Sequence, residues 1–344
     1  MQPIILFGGQ SYEHEISIVS AIALKKVLPR VCRFIFLAPD RRFYLIGADQ
    51  MRAEFFASGD YRKNTELFLT RGGFEKKTLL GRAPIEAGTV ISIVHGADGE
   101  DGKLAALFDF YGVPYVGPRL EASVLSFNKL FTKYLAQTAG VKTLDYQTVR
   151  RGEKVNLPYP YILKPLRLGS SIGVSVVKSD EERDYALDVA FEFDTEVLAE
   201  PFVSKVREYN LAGCRAGDVW QLSIIEEPAK NDLLDFDQKY LDFARTGKAR
   251  EAELDAPIAE AIREAFKRVY AQGFDGALIR CDFFVIDEAV YLNEVNPIPG
   301  SLSNYLFEAY ESTLDSLMNN LRQPKQIPVS YDYIHTIRSA KGKL

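Results

Sequence analysis

Acidic side chains interrupt two apolar runs in the segment DFFVIDEAVYLNEVNPIPGS, which covers residues 282–301. Asp282 lies in the first run, and Glu294 and Asn296 lie in the second. Burying a carboxylate costs free energy unless it is paired, hydrogen-bonded or bound to a metal. Two carboxylates and an amide oxygen are hard ligands that suit Mg²⁺, which completes its shell with phosphates and water. The segment therefore predicts a metal site, and the alternative is a surface hairpin with ordinary polar residues.

The register of this hairpin decides whether the acids can act together. Glu294 and Asn296 are two residues apart, so they share one face of a strand. Asp282 joins that face only if it pairs with Glu294. This pairing predicts a three-residue loop at 287–289, because a two-residue loop would put Asp282 on the opposite face. Arg280 would project onto the same face, either to stabilise developing anionic charge or as a counter-ion for the acids.

A second candidate site is the stretch KPLRLGSSIGVS, residues 164–175, in which a glycine–serine loop separates two apolar strands. Such a loop presents several backbone N–H groups, and Ser170 and Ser171 add hydroxyls, which together suit phosphate oxygens. Lys164 at its base can pair with a phosphate as a point charge. A plain glycine hairpin explains the loop equally well.

The strand end AEPFV offers an edge on which an adenine ring could lie. The carbonyl of Pro201 could accept a hydrogen bond from an exocyclic amine, and the N–H of Val203 could donate to a ring nitrogen. Taken alone, a strand that ends at a proline is the simpler interpretation. Glu200, which precedes Pro201, would lie at the same edge.

Two residues of the first third lie where open α/β sheets bind ligands. His95 follows an apolar strand directly, at its carboxyl end, although a single histidine of this kind is more often structural. Glu13 follows a Gly-Gly turn and could receive an ammonium group, or it could stabilise the first turn of its own helix. Lys129 and Glu208 are solvated surface charges by default.

Composition limits the class of protein. A chain of 344 residues predicts two or three domains. A net charge of −5 argues against a general nucleic-acid binder. The three cysteines form no CxxC pair, so neither a zinc site nor a disulfide framework is indicated. No signal peptide and no apolar run approaching the ~20 residues of a membrane helix is evident, and we predict a cytoplasmic protein with no membrane partner.

The elements that must position these residues follow from hydrophobic periodicity. PIILFGG, RFIFLA and TVISIVHG are buried strands of parallel type, and helices at EHEISIVSAIALKKVL and before Gly112 complete an open α/β unit. One helix is predicted through SFNKLFTKYLAQTAG, ending at Gly140. A helix over 180–192, the strand TEVLAEPFV, a hairpin at REYNLAGCRAGDVWQLSII and the helix APIAEAIREAFKRVYAQG follow. The polar stretch at about 230–250 is predicted to be a loop.

Five segments then stand in a recognisable order: LFGGQSYEHEIS, VHGADGEDG, LKPLRLGSSIGVS, QKYLD and RCDFFVIDEAVYLNEVNPIPGS. Together they resemble the D-alanine–D-alanine ligases of the ATP-grasp superfamily. The resemblance implies a mixed α/β and α+β fold in three domains, an N-terminal Rossmann-like domain at 1–118 and two ATP-grasp subdomains at 119–203 and 204–344. It also implies that ATP and two D-alanine molecules are the substrates, that two Mg²⁺ or Mn²⁺ ions assist, and that the protein is a homodimer.

The resemblance assigns roles to matching positions. The residues that would contact ATP are Lys129, Lys164, Ser171, Glu200, Phe202, Val203, Glu208 and Lys239. Those that would hold the metal ions are Asp282, Glu294 and Asn296. Glu13, with His95 nearby, would take the ammonium of the first D-alanine and would form a hydrogen-bonded triad with Ser170 and Tyr240. Arg280 and the N–H of Gly300 would stabilise an oxyanion, and the 230–250 loop would close over the site.

Two stretches depart from the family pattern. After Gly300 the chain reads SLSNYLF, whereas the family more often has Met-Thr followed by a serine that grips the second substrate's carboxylate. Tyr305 falls where that serine would align, and Ser303 is the possible substitute. Residues 40–89 match poorly and receive no role.

Two alternative functions are compatible with the sequence. A D-alanine–D-lactate ligase is disfavoured because Tyr240 stands where those enzymes tend to carry histidine. A nucleotide-binding module that has lost ligation is the other alternative, and the altered 301–305 loop motivates it.

Overall fold

Three β-sheets organise the chain: one of eight strands and two of four. The computed structural model describes residues 2–28, 33–204, 206–228, 248–322 and 327–341. Lys239, Tyr240 and most of the predicted lid at 230–250 lie outside the described residues. Within those ranges, the structure contains no helix of the length and apolarity that a membrane crossing requires.

The first sheet is parallel in one part and antiparallel in the other. β1 pairs in parallel with β2 and β7, and β7 pairs in parallel with β8, which confirms the three predicted parallel strands. Residues 40–89 extend the sheet through antiparallel pairing of β3 to β6. The strands, in chain order, are β1 Gln2–Gly8, β2 Arg33–Leu37, β3 Phe43–Ile46, β4 Glu66–Thr70, β5 Gly73–Thr78, β6 Gly81–Pro84, β7 Gly88–Ser92 and β8 Tyr115–Val116.

Apolar residues on both faces bury this sheet. Along β1, Ile5 and Phe7 belong to one apolar cluster and Ile4 and Leu6 belong to another, as alternation along a doubly covered strand requires. The helices of this region are α1 His14–Val27, α2 Ala53–Ala57 and α3 Lys103–Tyr111. Gly112 ends α3 with a φ of +65°, as predicted.

The second sheet begins after a pair of helices, α4 Leu120–Phe127 and α5 Lys129–Thr138. The helix predicted over residues 126–140 is present as α5, but its predicted start lies within the end of α4 and before the break at Asn128. Asn128 between them is extended, and its side chain accepts a hydrogen bond from the N–H of Leu130 at 2.9 Å. Asparagine is a favoured N-cap because its oxygen satisfies an otherwise unpaired N–H. The break places α5 as a separate element beside the sheet.

The strands of the second sheet are antiparallel throughout, in the order β11-β10-β12-β9. They flank the predicted glycine–serine loop and the predicted helix near 180–192. The elements are β9 Gln147–Arg150, β10 Tyr161–Pro165, β11 Ser175–Val177, α6 Asp180–Phe191 and β12 Glu196–Pro201.

The third sheet is also antiparallel, in the order β14-β13-β15-β16. The amphipathic helix predicted from APIAEAIREAFKRVYAQG is present and buries Ile262, Phe266 and Val269. The elements are β13 Arg207–Ala216, β14 Val219–Glu226, α7 Ala256–Tyr270, β15 Ile279–Ile286, β16 Ala289–Asn296, a 3₁₀ turn at Gly300–Leu306, α8 Tyr310–Asn319 and α9 Asp332–Lys341.

The β15–β16 hairpin reaches the predicted pairing by an unpredicted route. Its turn holds two residues, Asp287 and Glu288, so the three-residue loop is wrong. An irregularity on β16 compensates, because Asn293 is an extra residue that has no partner on β15. Such a bulge shifts the register by one residue. Asp282 therefore still pairs with Glu294, as predicted.

Candidate active site

A cleft with about 540 Å³ of empty space lies between the second and third sheets. Its walls come from α4, α5, β10, β12 and β16. The predicted site residues that line it are Lys129, Lys164, Glu200, Glu294 and Asn296. Residues predicted separately as a phosphate set and a metal set therefore share one cleft.

Lysines form one side of this cleft. Lys164 on β10 places its Nζ 2.7 Å from Oε2 of Glu200 and 3.3 Å from Oδ1 of Asn293. Burial lowers the pKa of the Lys164 ammonium, but the charge of Glu200 and its hydrogen bond outweigh that effect and raise it above its usual value. Lys129 is partly buried, and its Nζ donates to the carbonyl of Leu168. This arrangement concentrates positive charge where an anion can enter.

Glu200 pairs with two lysines on this side of the cleft. It is 2% exposed on β12, and its two oxygens pair with Lys164 and with Lys133 of α5. Burial raises the pKa of its carboxyl group, but the two lysines outweigh burial and hold the pKa below its usual value. Phe202 and Val203 continue from the end of this strand and are partly exposed, and the N–H of Phe202 donates to the carbonyl of Pro160 at 3.0 Å.

Asn293, Glu294 and Asn296 line the opposite side, and Asp282, which is not part of that lining, is hydrogen-bonded to Asn296. Asp282 is buried, and Arg280 grips it with two hydrogen bonds, from Nε to Oδ1 at 2.7 Å and from Nη2 to Oδ2 at 2.9 Å. Asn296 donates to the same Oδ2 at 3.0 Å. Burial raises the pKa of the Asp282 carboxyl group, and Arg280 opposes that rise. Arg280 thus forms an ion pair with Asp282, and its two predicted roles, as a counter-ion for both acids or as a stabiliser of developing anionic charge, stay predictions.

The donor chemistry of this wall fits a divalent cation that is shared with phosphate. No three His, Cys, Asp or Glu side chains approach one another as a metal-binding group within the described part of the chain. The predicted set needs only two carboxylates and one amide, because Mg²⁺ takes its other ligands from phosphates and water. Glu294 and Asn296 face the cleft that also holds Lys129 and Lys164, which suits a triphosphate.

Glu13 lies at the start of α1, enclosed by the glycine–serine loop. Ser170 donates from Oγ to Oε1 of Glu13 at 2.5 Å. Oε2 is buried and has no hydrogen-bond partner among the described residues. Gly96 and Gly169 approach so closely that a Cβ at either position would meet the carboxylate, at 2.6 and 2.9 Å. An unpartnered buried oxygen is costly, so Oε2 is suited to accept a ligand's ammonium.

His95 and Glu100 adjoin Glu13. Nε2 of His95 lies 3.0 Å from Oγ of Ser20, and that oxygen accepts a hydrogen bond from the N–H of Ser301 at 3.2 Å. Burial lowers the pKa of His95 to about 4, so the imidazole is neutral at pH 7. Burial raises the pKa of Glu100 to about 8. This network connects the first sheet to the 3₁₀ turn.

The turn at Gly300–Leu306 has an unusual backbone. Ser301, Leu302 and Ser303 have φ values of +47°, +47° and +50°, a region that costs non-glycine residues about 1–3 kcal/mol each. All are buried, and Oγ of Ser303 has no hydrogen-bond partner among the described residues. Tyr305 is buried in the same turn. The stretch that departs from the family pattern is thus a strained turn with an unused hydroxyl.

Three residues of this region were missed from the sequence. Lys133 lies four residues after Lys129, so helical spacing alone places both on one face of a helix. Glu100 stands between glycines in the quoted motif VHGADGEDG, where an acid beside a sheet edge was the available signal. Asn293 could not be found without the bulge.

Glu208, a predicted site residue, lies on β13. Its charge adds to that of Glu200 in raising the pKa of Lys164.

Two family models and several known proteins match this chain. The family model described as D-ala D-ala ligase N-terminus matches residues 2–118, and the one described as D-ala D-ala ligase C-terminus matches residues 131–320. The chain is 56% identical to the D-alanine–D-alanine ligase of Campylobacter concisus over 98% of both chains. It is 55% identical to that of Helicobacter hepaticus, over 98% of this chain and 99% of the relative.

Solved structures agree. The crystal structure of D-alanine–D-alanine ligase from Helicobacter pylori superposes with a TM-score of 0.85 at 48% identity, covering 94% of this chain and 100% of that one. The VanG D-Ala:D-Ser ligase from Enterococcus faecalis has a TM-score of 0.74 at 24% identity, over 92% of this chain and 98% of that one, which shows a shared fold alone. With its ATP-grasp architecture and its match along nearly the full length, the chain belongs to the D-alanine–D-alanine ligase family.

Proposed function

We propose that the chain joins two D-alanine molecules into D-alanyl-D-alanine for peptidoglycan synthesis and cleaves ATP to ADP and phosphate through a D-alanyl phosphate. One observation carries this proposal: a lysine wall faces an acid and amide wall across one cleft, beside the buried carboxylate of Glu13. Phosphoryl transfer needs little covalent help from the protein, so positioning and charge compensation provide most of the catalysis.

In this proposal the cleft holds the triphosphate. Lys129 and Lys164 bind phosphate oxygens, and Ser171 donates from the loop. Glu200, Phe202 and Val203 form the adenine edge, and Glu208 contacts the ribose. Asp282, Glu294 and Asn296 would hold two Mg²⁺ or Mn²⁺ ions, which neutralise charge on the phosphates when bound.

The first D-alanine binds by its ammonium to Oε2 of Glu13, with His95 nearby. Its carboxylate then attacks the γ-phosphorus, the bond from that phosphorus to the bridging oxygen breaks, and ADP leaves. The acyl phosphate must be kept from water, so we propose that the 230–250 loop closes over it. Lys239 and Tyr240 belong to that loop, and Tyr240 would extend the hydrogen bond of Ser170 and Glu13 into a triad.

The amine of the second D-alanine attacks the acyl carbon, and phosphate leaves. Arg280 and the N–H of Gly300 would stabilise the oxyanion of the tetrahedral intermediate. We assign the carboxylate of the second D-alanine to Ser303, because its hydroxyl is buried and has no partner among the described residues. Tyr305 occupies the position at which the family more often has the gripping serine.

Several broader expectations belong to the same proposal. We propose domain boundaries near residues 118 and 203, and the presence of three separate sheets supports this division. The homodimer and the cytoplasmic location are proposed by analogy with the family.

The test is ADP formation across a panel of D-amino acids, L-amino acids and D-hydroxy acids, with ATP and Mg²⁺. We expect D-alanine to be the preferred substrate in both positions. Preferential consumption of D-lactate at neutral pH would instead favour an ester-forming ligase. Nucleotide binding without any phosphate release in the presence of D-alanine would favour a module that has lost ligation.

A further inference from the structure

Lys133 is a buried lysine beside the cleft to which the proposed chemistry gives no role. It lies on α5, one turn after Lys129, and its side chain is 3% exposed. Its Nζ donates to Oε1 of Glu200. Within the described ranges, Glu200 is the one carboxylate with which it forms an ion pair. Lys133 therefore acts through Glu200.

Lys164 shares Glu200 but differs in its surroundings. Its Nζ is 2.7 Å from the other carboxylate oxygen, Oε2, and 3.3 Å from Oδ1 of Asn293. Its side chain is 14% exposed, against 3% for Lys133. Lys164 thus has an alternative polar partner and some access to the open cleft, whereas Lys133 is enclosed.

Nucleotide binding would remove one of the two ion-pair partners of Glu200. If Lys164 turns from Glu200 towards a phosphate, the carboxylate loses one of its two cations while remaining buried. A buried charge left without a partner is strongly unfavourable. Lys133 removes this difficulty, since it stays on the other oxygen.

We infer that Lys133 is a positioning residue for nucleotide binding, which holds Glu200 so that Lys164 can transfer from the carboxylate to a nucleotide phosphate. The inference rests on the proposed function, in which Lys164 contacts ATP. It assigns Lys133 no direct contact with the nucleotide.

The charge of the three groups makes the inference testable. In the native chain two ammonium groups and one carboxylate carry a net charge of +1. Lys133→Met lowers that to zero and leaves Lys164 as the one ion-pair partner of Glu200 among the described residues. Adding Glu200→Gln restores +1, because it removes the carboxylate that forms the ion pair with Lys164. The single and double variants have the same Lys164 and differ in whether it is free to move.

The experiment measures binding of Mg²⁺ and the non-hydrolysable analogue AMP-PNP to the full chain by titration calorimetry, without D-alanine. We expect Lys133→Met to bind AMP-PNP about tenfold or more weakly than the native chain. Glu200 also belongs to the proposed adenine edge, so Lys133→Met/Glu200→Gln is compared with Glu200→Gln alone, and these two variants should bind within about threefold of each other. Lys142→Met is the matched control, because Lys142 is an exposed lysine outside the cleft lining, and its affinity should not change. In steady state, Lys133→Met should raise KM for ATP and leave KM for D-alanine unchanged.

Native-like affinity in Lys133→Met would overturn the inference. So would a double variant that binds much more weakly than Glu200→Gln alone, which would show that Lys133 acts through packing and not through Glu200. If Lys133→Met does not fold, the double variant carries the test, because it contains no buried unpaired carboxylate. Failure of the native chain to bind AMP-PNP would instead remove the proposed function itself.

Discussion

The two hairpins that border the cleft hold their candidate chemistry in different places. β10 and β11 are joined by residues 166–174, and the serines predicted to act, Ser170 and Ser171, lie within that connection. β15 and β16 are joined by a two-residue turn, and the residues predicted to act, Asp282 and Glu294, lie within the strands. One hairpin would thus function through its loop and the other through its ladder.

The difference follows from which groups a ligand needs. Phosphate binding uses backbone N–H groups, and a regular sheet already pairs those groups within its ladder. The chain must leave the sheet to free them, as it does at Ser170 and Ser171, where φ is +54° and +57°. Carboxylates are side chains, so strands with paired backbones can present them. The acidic hairpin needed only the single irregularity at Asn293 to set their register.

The largest effect should come from the acidic ladder. We expect Glu294→Gln to leave the fold intact and to lower kcat at least about 100-fold, because the loss of a carboxylate weakens the binding of the divalent cation. ADP release measured over a range of Mg²⁺ concentrations, with thermal unfolding in parallel, checks both parts. Glu288→Gln is the matched control, since it removes the same charge from the turn of the same hairpin. Near-native activity of Glu294→Gln at low Mg²⁺ would contradict the metal site.

Sequence patterns predict most of the features that distinguish the two hairpins. Apolar periodicity gave the strands on each side, the glycine–serine loop and the shared face of Glu294 and Asn296, because strand alternation has a fixed period. The pairing of Asp282 with Glu294 was also predicted, through the wrong loop length. One extra residue in the turn and one extra residue in a strand bulge shift the register by the same amount. The requirement that Asp282 and Glu294 share a face therefore fixes the number of extra residues, but not whether they lie in the turn or in the strand.

Other features depended on packing that spacing cannot show. Asn128 ends one helix and caps the next, but its type is also tolerated in mid-sequence, so continuous periodicity hid the break. Lys133 looks like a surface residue until the partner carboxylate, Glu200, is brought to it from 67 residues away. The left-handed backbone of Ser301–Ser303 could not be predicted, because none of these three residues is a glycine.

A smaller effect is expected from the loop hairpin. Burial already raises the pKa of the Glu13 carboxyl group, and the hydrogen bond from Ser170 opposes that rise. Ser170→Ala removes this hydrogen bond. The pKa of Glu13 should rise further, so a higher pH is needed to ionise Glu13 for the substrate's ammonium. We expect the acid limb of kcat/KM for D-alanine to move to higher pH, so kcat/KM should fall on that limb and recover as the pH is raised. A pH profile of kcat/KM measures this shift.

Ser171→Ala is the matched control for that change. Ser171 is the next residue, has the same positive φ and is proposed to contact ATP, not Glu13. Its acid limb for D-alanine should stay where the native one lies. An unshifted limb in Ser170→Ala, or an equal shift in both variants, would show that the loop does not act on Glu13 through Ser170.

The smallest effect should come from the turn of the acidic hairpin, which this comparison leaves without a catalytic role. Asp287 and Glu288 have φ values of +46° and +62°, as two-residue hairpin turns require, and glycine adopts these values without strain. A left-handed conformation costs a non-glycine residue about 1–2 kcal/mol, and the greater flexibility of unfolded glycine offsets about 0.5–1 kcal/mol of that cost. Glu288→Gly should therefore raise the free energy of unfolding by about 0.5–1 kcal/mol and leave kcat unchanged. Urea unfolding midpoints, beside those of Glu288→Ala, which keeps its Cβ and should gain nothing, isolate the backbone effect. Lower activity in Glu288→Gly would mean that the turn, like the glycine–serine loop, takes part in function, and the contrast between the two hairpins would fail.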